Sequence, residues 1–98
     1  MGEIVLRSEL QWFAEEMEKV LRQNDHKTHW SKCDIKYLHN RLMDEIHELS
    51  DSVACESPPV VIIKEAVDVA NFAMMLADVT RKKFEGHHSF ERKGASGR

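Results

Sequence analysis

A chain of 98 residues with a formal charge of -3 makes one small domain, long enough for a modest core and too short for two. Its 42% hydrophobic and 32% charged residues exclude a disordered chain and fit a globular one. The acidic balance also excludes general attraction to nucleic acid, while leaving room for a local site that reaches phosphate through a metal.

The opening residues, Met1-Gly2-Glu3-Ile4-Val5-Leu6, lack the basic and then long apolar profile of a signal peptide, so a cytoplasmic protein is expected. Ser8 followed by Gln11 has the capping-box pattern and sets a first helix starting near Ser8. Leu10, Phe13, Ala14, Met17, Val20 and Leu21 then recur at helical spacing as one apolar face. That helix is expected to fray near Asn24-Asp25. The polar connection Asn24–Cys33 carries Lys27 and Trp30, and Ser31 with Asp34 three residues on suggests a cap for the second helix. Cys33 and Cys55 form no Cys-x-x-Cys pair and read as reduced thiols, a single disulfide being the other reading.

The second helix has its apolar stripe at Ile35, Leu38, Leu42, Ile46, Leu49 and Val53, with Glu45 and Glu48 on the edge of it. Ser50–Ser57 reads as a loop, and Ser57-Pro58-Pro59 as a helix start with Ser as cap and Pro at the first helical position. The run Val60–Leu76 is apolar nearly all round, but Lys64, Glu65, Asp68 and Asn71 within it exclude a membrane span. The periodicity through Phe84 favours a helix of roughly 40 Å over a strand at Val60–Ile63. One three-helix protomer cannot cover such a helix on every side, so burial against another subunit is expected. Residues 1–85 thus read as one all-α helical bundle, completed as a homo-oligomer (dimer or tetramer), and residues 86–98 as a flexible tail.

The chemistry lies in two acidic pairs. Glu45 and Glu48 are three residues apart, and so are Glu65 and Asp68, a spacing that stacks each pair on one helix face. Two helices joined by a short connection run antiparallel, which lets the pairs face each other. Four carboxylates meeting inside a bundle repel unless something positive sits among them. An all-oxygen set suits Mg²⁺, or Mn²⁺, over zinc or copper. A di-iron bundle would want Glu-x-x-His on facing helices; Asp44-x-x-His47 imitates that once, and the third helix offers no histidine partner.

Asp44-Glu45-x-x-Glu48 followed by Glu65-x-x-Asp68 resembles the signature of the MazG-like all-α nucleoside triphosphate pyrophosphohydrolases, and the likeness spans about Leu10 to Arg81. The segment Asn24–Trp30 looks like that family's Lys-and-Trp loop, and Asn71 also fits. The resemblance implies Mg²⁺ held by Glu45, Glu48, Glu65 and Asp68, with Lys27, Trp30 and Asn71 approaching the nucleotide. It further implies cleavage between the α- and β-phosphates, giving monophosphate and pyrophosphate, with Glu45 or Glu48 as the base. Two departures stand out: Asp44 occupies the first acidic position, normally Glu, and Thr28-His29 stand where glycines are common.

Each feature has a plainer reading beside it. A lone acidic pair is usually a solvated helix face; two pairs of matched spacing bordering apolar stripes argue against that. Lys64 and Arg41 would neutralise part of the cluster, not four or five acids. Trp30 either plugs the end of the bundle or stacks on a base; Lys27 is either a surface lysine or a phosphate contact. Asn71 would be costly to bury without partners, which favours a role near Asp68. Two other enzyme-or-module readings stay open: a phosphoribosyl-ATP pyrophosphohydrolase, and a nucleotide- or metal-binding module without turnover. A purely structural helical assembly is the third.

Overall fold

The computed structural model describes residues 2–88. They form three α-helices, α1 Ser8–Gln23, α2 Ile35–Ala54 and α3 Pro59–His88, and a short 3-10 turn at Trp30–Lys32, so the all-α expectation holds. α2 and α3 pack along each other as an antiparallel hairpin, with Arg41 beside Phe72 and Glu45 beside Asp68. α1 lies more lightly on α3, where Asn71 reaches the carbonyl of Met17, giving an up–down–up order. Among the described residues no helix is long and apolar enough to cross a membrane. Both cysteines are free thiols.

The helix ends differ from expectation in four places. Ser8 is not the cap of α1: Arg7 holds that position without a side-chain bond, and the Ser8 hydroxyl lies 3.5 Å from Glu9 instead. Asp34, rather than Ser31, caps α2, its carboxylate accepting from the Tyr37 N–H at 2.8 Å. The third difference is that α2 continues through Ser50 to Ala54, where a loop was expected. It ends in a Schellman-type closure, with Glu56 N–H bonded to Val53 carbonyl at 3.1 Å and Ser57 N–H to Ser52 carbonyl at 2.9 Å. Glu56 takes the left-handed conformation (φ 53°) that glycine usually supplies there, which hid the stop signal. Pro59 does open α3, where the lack of an N–H does no harm, but the fourth difference is that Pro58 rather than the expected Ser57 holds the cap position, its carbonyl accepting from the Ile62 N–H at 3.2 Å. α3 runs to His88, three residues into the stretch read as a tail; residues 89–98 of that stretch lie outside the described ones.

The interior is thin. Leu38 on α2 and Val67 on α3 are the fully buried apolar side chains of the described residues, and α1 buries none completely. Each such side chain contributes about 1.5–3 kcal/mol. The remaining buried positions are polar: Glu45, Asn71 and Asp78. Sizeable apolar groups stay exposed, Val60 at 72%, Phe84 at 53% and Trp12 at 47%.

Candidate functional site

The hairpin of α2 and α3 brings the two acidic segments together. On α2, four-residue spacing places Arg41 one turn before Glu45; on α3 the same spacing places Lys64 one turn before Asp68. One carboxylate oxygen each from Glu45, Glu65 and Asp68 lie within 4.8 Å of one another. Glu48 stands outside that tight group, exposed to solvent, though near enough to Glu45 and Glu65 for its charge to act on both. Asp44, the short residue of the motif, is exposed and paired with Arg41 at 3.2 Å. Three of the four expected metal carboxylates thus converge, and the fourth borders them.

Cations satisfy part of this charge. Arg41 Nη2 donates to Glu45 Oε2 at 2.9 Å, and Lys64 Nζ to Asp68 Oδ2 at 3.0 Å. The second oxygens of Glu45 and Glu65 are buried with no hydrogen-bond partner among the described residues. Burial, then the charge of Glu48, pushes the Glu45 carboxyl above its ordinary value, against the bond from Arg41. Burial raises Glu65 as well; Lys64 pulls it down, and the charges of Glu48 and Asp68 push it further up. The bond to Asp68, followed by its charge, raises the Lys64 ammonium. An under-neutralised set of oxygens, part buried and part unpartnered, is what a small hard cation would satisfy.

A cavity of about 670 Å³ opens beside these groups, a size suited to a small-molecule ligand. Glu45, Asp68, Asn71, Lys27 and Trp30 all line it, so the expected substrate residues and two of the acids share one space. Asn71 is 3% exposed; its amide donates to the Met17 carbonyl at 3.3 Å, and its own carbonyl oxygen is buried with no partner among the described residues. Lys27 is exposed at the rim.

Trp30 is half-buried, and its indole N–H donates to Asp78 at 3.0 Å, fastening the connection between α1 and α2 onto α3. The His29 ring stacks on it, with centroids 4.1 Å apart and planes 27° off parallel. Asp78 had no signal in the sequence beyond sitting seven residues after Asn71 on the same helix face. It is almost fully buried. Bonds from Trp30 and then Lys82 hold its carboxyl well below the usual carboxylate range against the effect of burial, with Arg81 adding a third bond. Arg41, read at first only as a neutraliser, proves to be a wall of the cavity, its guanidinium 4.8 Å from the centre of the Phe72 ring.

Compared with known protein families, curated proteins and solved structures, the chain matches none of them. The geometry of the site therefore carries the functional argument.

Proposed function

We propose that the protein is a Mg²⁺-dependent nucleoside triphosphate pyrophosphohydrolase, which converts a nucleoside triphosphate to the monophosphate and pyrophosphate. The observation that carries this reading is the convergence of Glu45, Glu65 and Asp68 within 4.8 Å, with Glu45 and Asp68 lining a ligand-sized cavity. The residues fit a hard divalent cation: the donors are all carboxylate oxygens, and those of Glu45 and Glu65 include buried atoms with no hydrogen-bond partner among the described residues. Glu45, Glu65 and Asp68 would hold the ion, with Glu48 completing the set from the edge. Such an ion supplies charge neutralisation at the phosphates and a more acidic bound water.

The chain's own residues do the rest. Glu48, exposed and outside the tight group, would take a proton from the attacking water. Burial keeps the Glu45 and Glu65 oxygens poorly hydrated, which strengthens their hold on positive charge. Trp30, steadied by Asp78, offers an aromatic edge to a base, and Lys27 offers charge at the rim. The thin core and the exposed apolar groups of α1 and α3 support a homo-oligomer.

The test is direct. A panel of standard and modified nucleoside triphosphates, with phosphoribosyl-ATP among them, is incubated with Mg²⁺ and the products separated. Pyrophosphate release that vanishes with EDTA and in Asp68→Asn supports the reading. Nucleotide binding without any product would favour a binding module, and neither binding nor product would leave a structural assembly.

A further inference from the structure

The two cations that neutralise the acidic cluster, Arg41 and Lys64, also line the cavity, with Lys27 further along its rim. Arg41 is 34% exposed at its side chain and Lys64 65%, while their partners Glu45 and Asp68 are 7% and 17% exposed. The carboxylates are thus the sunken half of each pair and the cations the accessible half. Arg41 spends two N–H groups on Asp44 and Glu45, out of five that a guanidinium carries. The face of Phe72 supports the planar group from below. Lys64 makes one bond, to Asp68, and retains donors for another oxygen.

Charge balance shows what these cations can do. Glu45, Glu65 and Asp68 bring three negative charges and Glu48 a fourth, against one from Arg41 and one from Lys64. A divalent cation taking the Glu45 and Asp68 oxygens competes with both ion pairs, balances the two remaining negative charges, and frees the ammonium and guanidinium donors toward the cavity. A polyphosphate is the ligand whose charged acceptor oxygens match those freed cationic donors, and a guanidinium meets it with paired donors.

We propose that Arg41 and Lys64 are the polyphosphate-binding cations of this site, exchanging their bonds to Glu45 and Asp68 for phosphate oxygens when substrate enters. The proposal rests on the pyrophosphohydrolase reading and adds to it two substrate-positioning residues whose present partners are the metal-binding acids themselves. Each cation thereby serves twice: it keeps the acids from repelling one another before loading, and it grips the substrate afterwards.

Calorimetric titration with an α,β-methylene nucleoside triphosphate, which is not cleaved, tests this in the presence of Mg²⁺. Arg41→Met and Lys64→Met are each expected to weaken the triphosphate analogue by about 10–100-fold, a range equivalent to one or two charge-assisted bonds. The same variants should bind the nucleoside monophosphate nearly as the wild type does, and Arg41→Lys should recover part of the loss. In thermal melts without nucleotide, Mg²⁺ should stabilise both variants at least as much as the wild type, because one cation fewer competes for the acids. Unchanged affinity for the analogue in both variants would overturn the proposal and leave the enzyme reading intact. Loss of the Mg²⁺ shift along with the analogue would also overturn it, since the cations would then act only by holding the acids in place. A wild type that ignores the analogue with Mg²⁺ present would overturn the enzyme reading and this proposal together.

Discussion

Replacing Glu65 by Gln isolates the repulsion at the heart of the cluster. Among the described residues Glu65 is the member of the tight group with no ion-pair partner, so the substitution breaks none of the salt bridges seen there, and it keeps the side chain's shape. At the 4.8 Å limit that bounds the group, each pair of like charges repels by about 3.5 kcal/mol at an effective dielectric of 20 and about 0.9 kcal/mol in water. The charges of Glu48 and Asp68 act on Glu65 unfavourably, and that of Lys64 favourably. One repulsion is thereby offset, leaving the equivalent of one more. Because Glu65 is only half-buried, the lower part of that range applies. Glu65→Gln should stabilise the EDTA-treated protein by about 1–2 kcal/mol, raising Tm by about 4–16 °C for a domain of this size. The amide N–H groups of the new side chain would also reach a neighbouring carboxylate. Mg²⁺ reverses the order. The wild type gains about 2.7 kcal/mol at a hundred-fold excess over Kd, and the variant, short of one ligand oxygen, should gain much less. Thermal melts with EDTA and with Mg²⁺ read both effects. A variant no more stable than wild type in EDTA, or one with an undiminished Mg²⁺ shift, would refute the reasoning.

The remaining expectations concern pH, the connecting segment and the buried amide. The carboxyls of Glu45 and Glu65 sit above their ordinary value of 4.5, so the native state binds the extra protons. Their contribution to the EDTA-treated protein is complete below 4.5 and is lost as pH rises through the raised values. The Tm advantage of Glu65→Gln should therefore grow from acid toward neutral pH. Asp78 has the opposite sign: its contribution is present above its ordinary 3.8 and is lost as pH falls through its lowered value. Trp30→Phe keeps the ring and removes the donor to Asp78, so hydrogen exchange at the amides of the Trp30–Lys32 turn should quicken while α2 and α3 stay protected. Asn71→Ala should lower stability by about 1–3 kcal/mol in chemical unfolding, through the lost bond to Met17 and the space left behind.

Helix class and pairing were legible because they rest on local periodicity: the stripes on α2 and the long apolar run of α3 emerge where expected. The approach of Glu45, Glu65 and Asp68 was legible for the same reason, since three-residue spacing on two antiparallel helices brings acids of one face together, while Glu48 stayed outside the group. What the pattern could not resolve is depth. Glu45 and Glu48 look equivalent beside the stripe, yet the turn of α2 sinks Glu45 to 5% exposure and leaves Glu48 in solvent. The bond from Trp30 to Asp78 spans 48 positions and leaves no local trace. Helix ends were hardest, because three alternatives compete within a few residues. Asp34 outdid Ser31 as a cap, and Glu56 stood in for the glycine that would have marked the end of α2.

Pyrophosphate analysis with isotopically labelled triphosphate tests the central claim most directly. With Mg²⁺ and a triphosphate labelled at the γ-phosphate, the account expects the label to leave entirely in pyrophosphate, with equimolar monophosphate, and none of either in Asp68→Asn. Label appearing as orthophosphate beside a diphosphate, or product formed equally in EDTA, would contradict it.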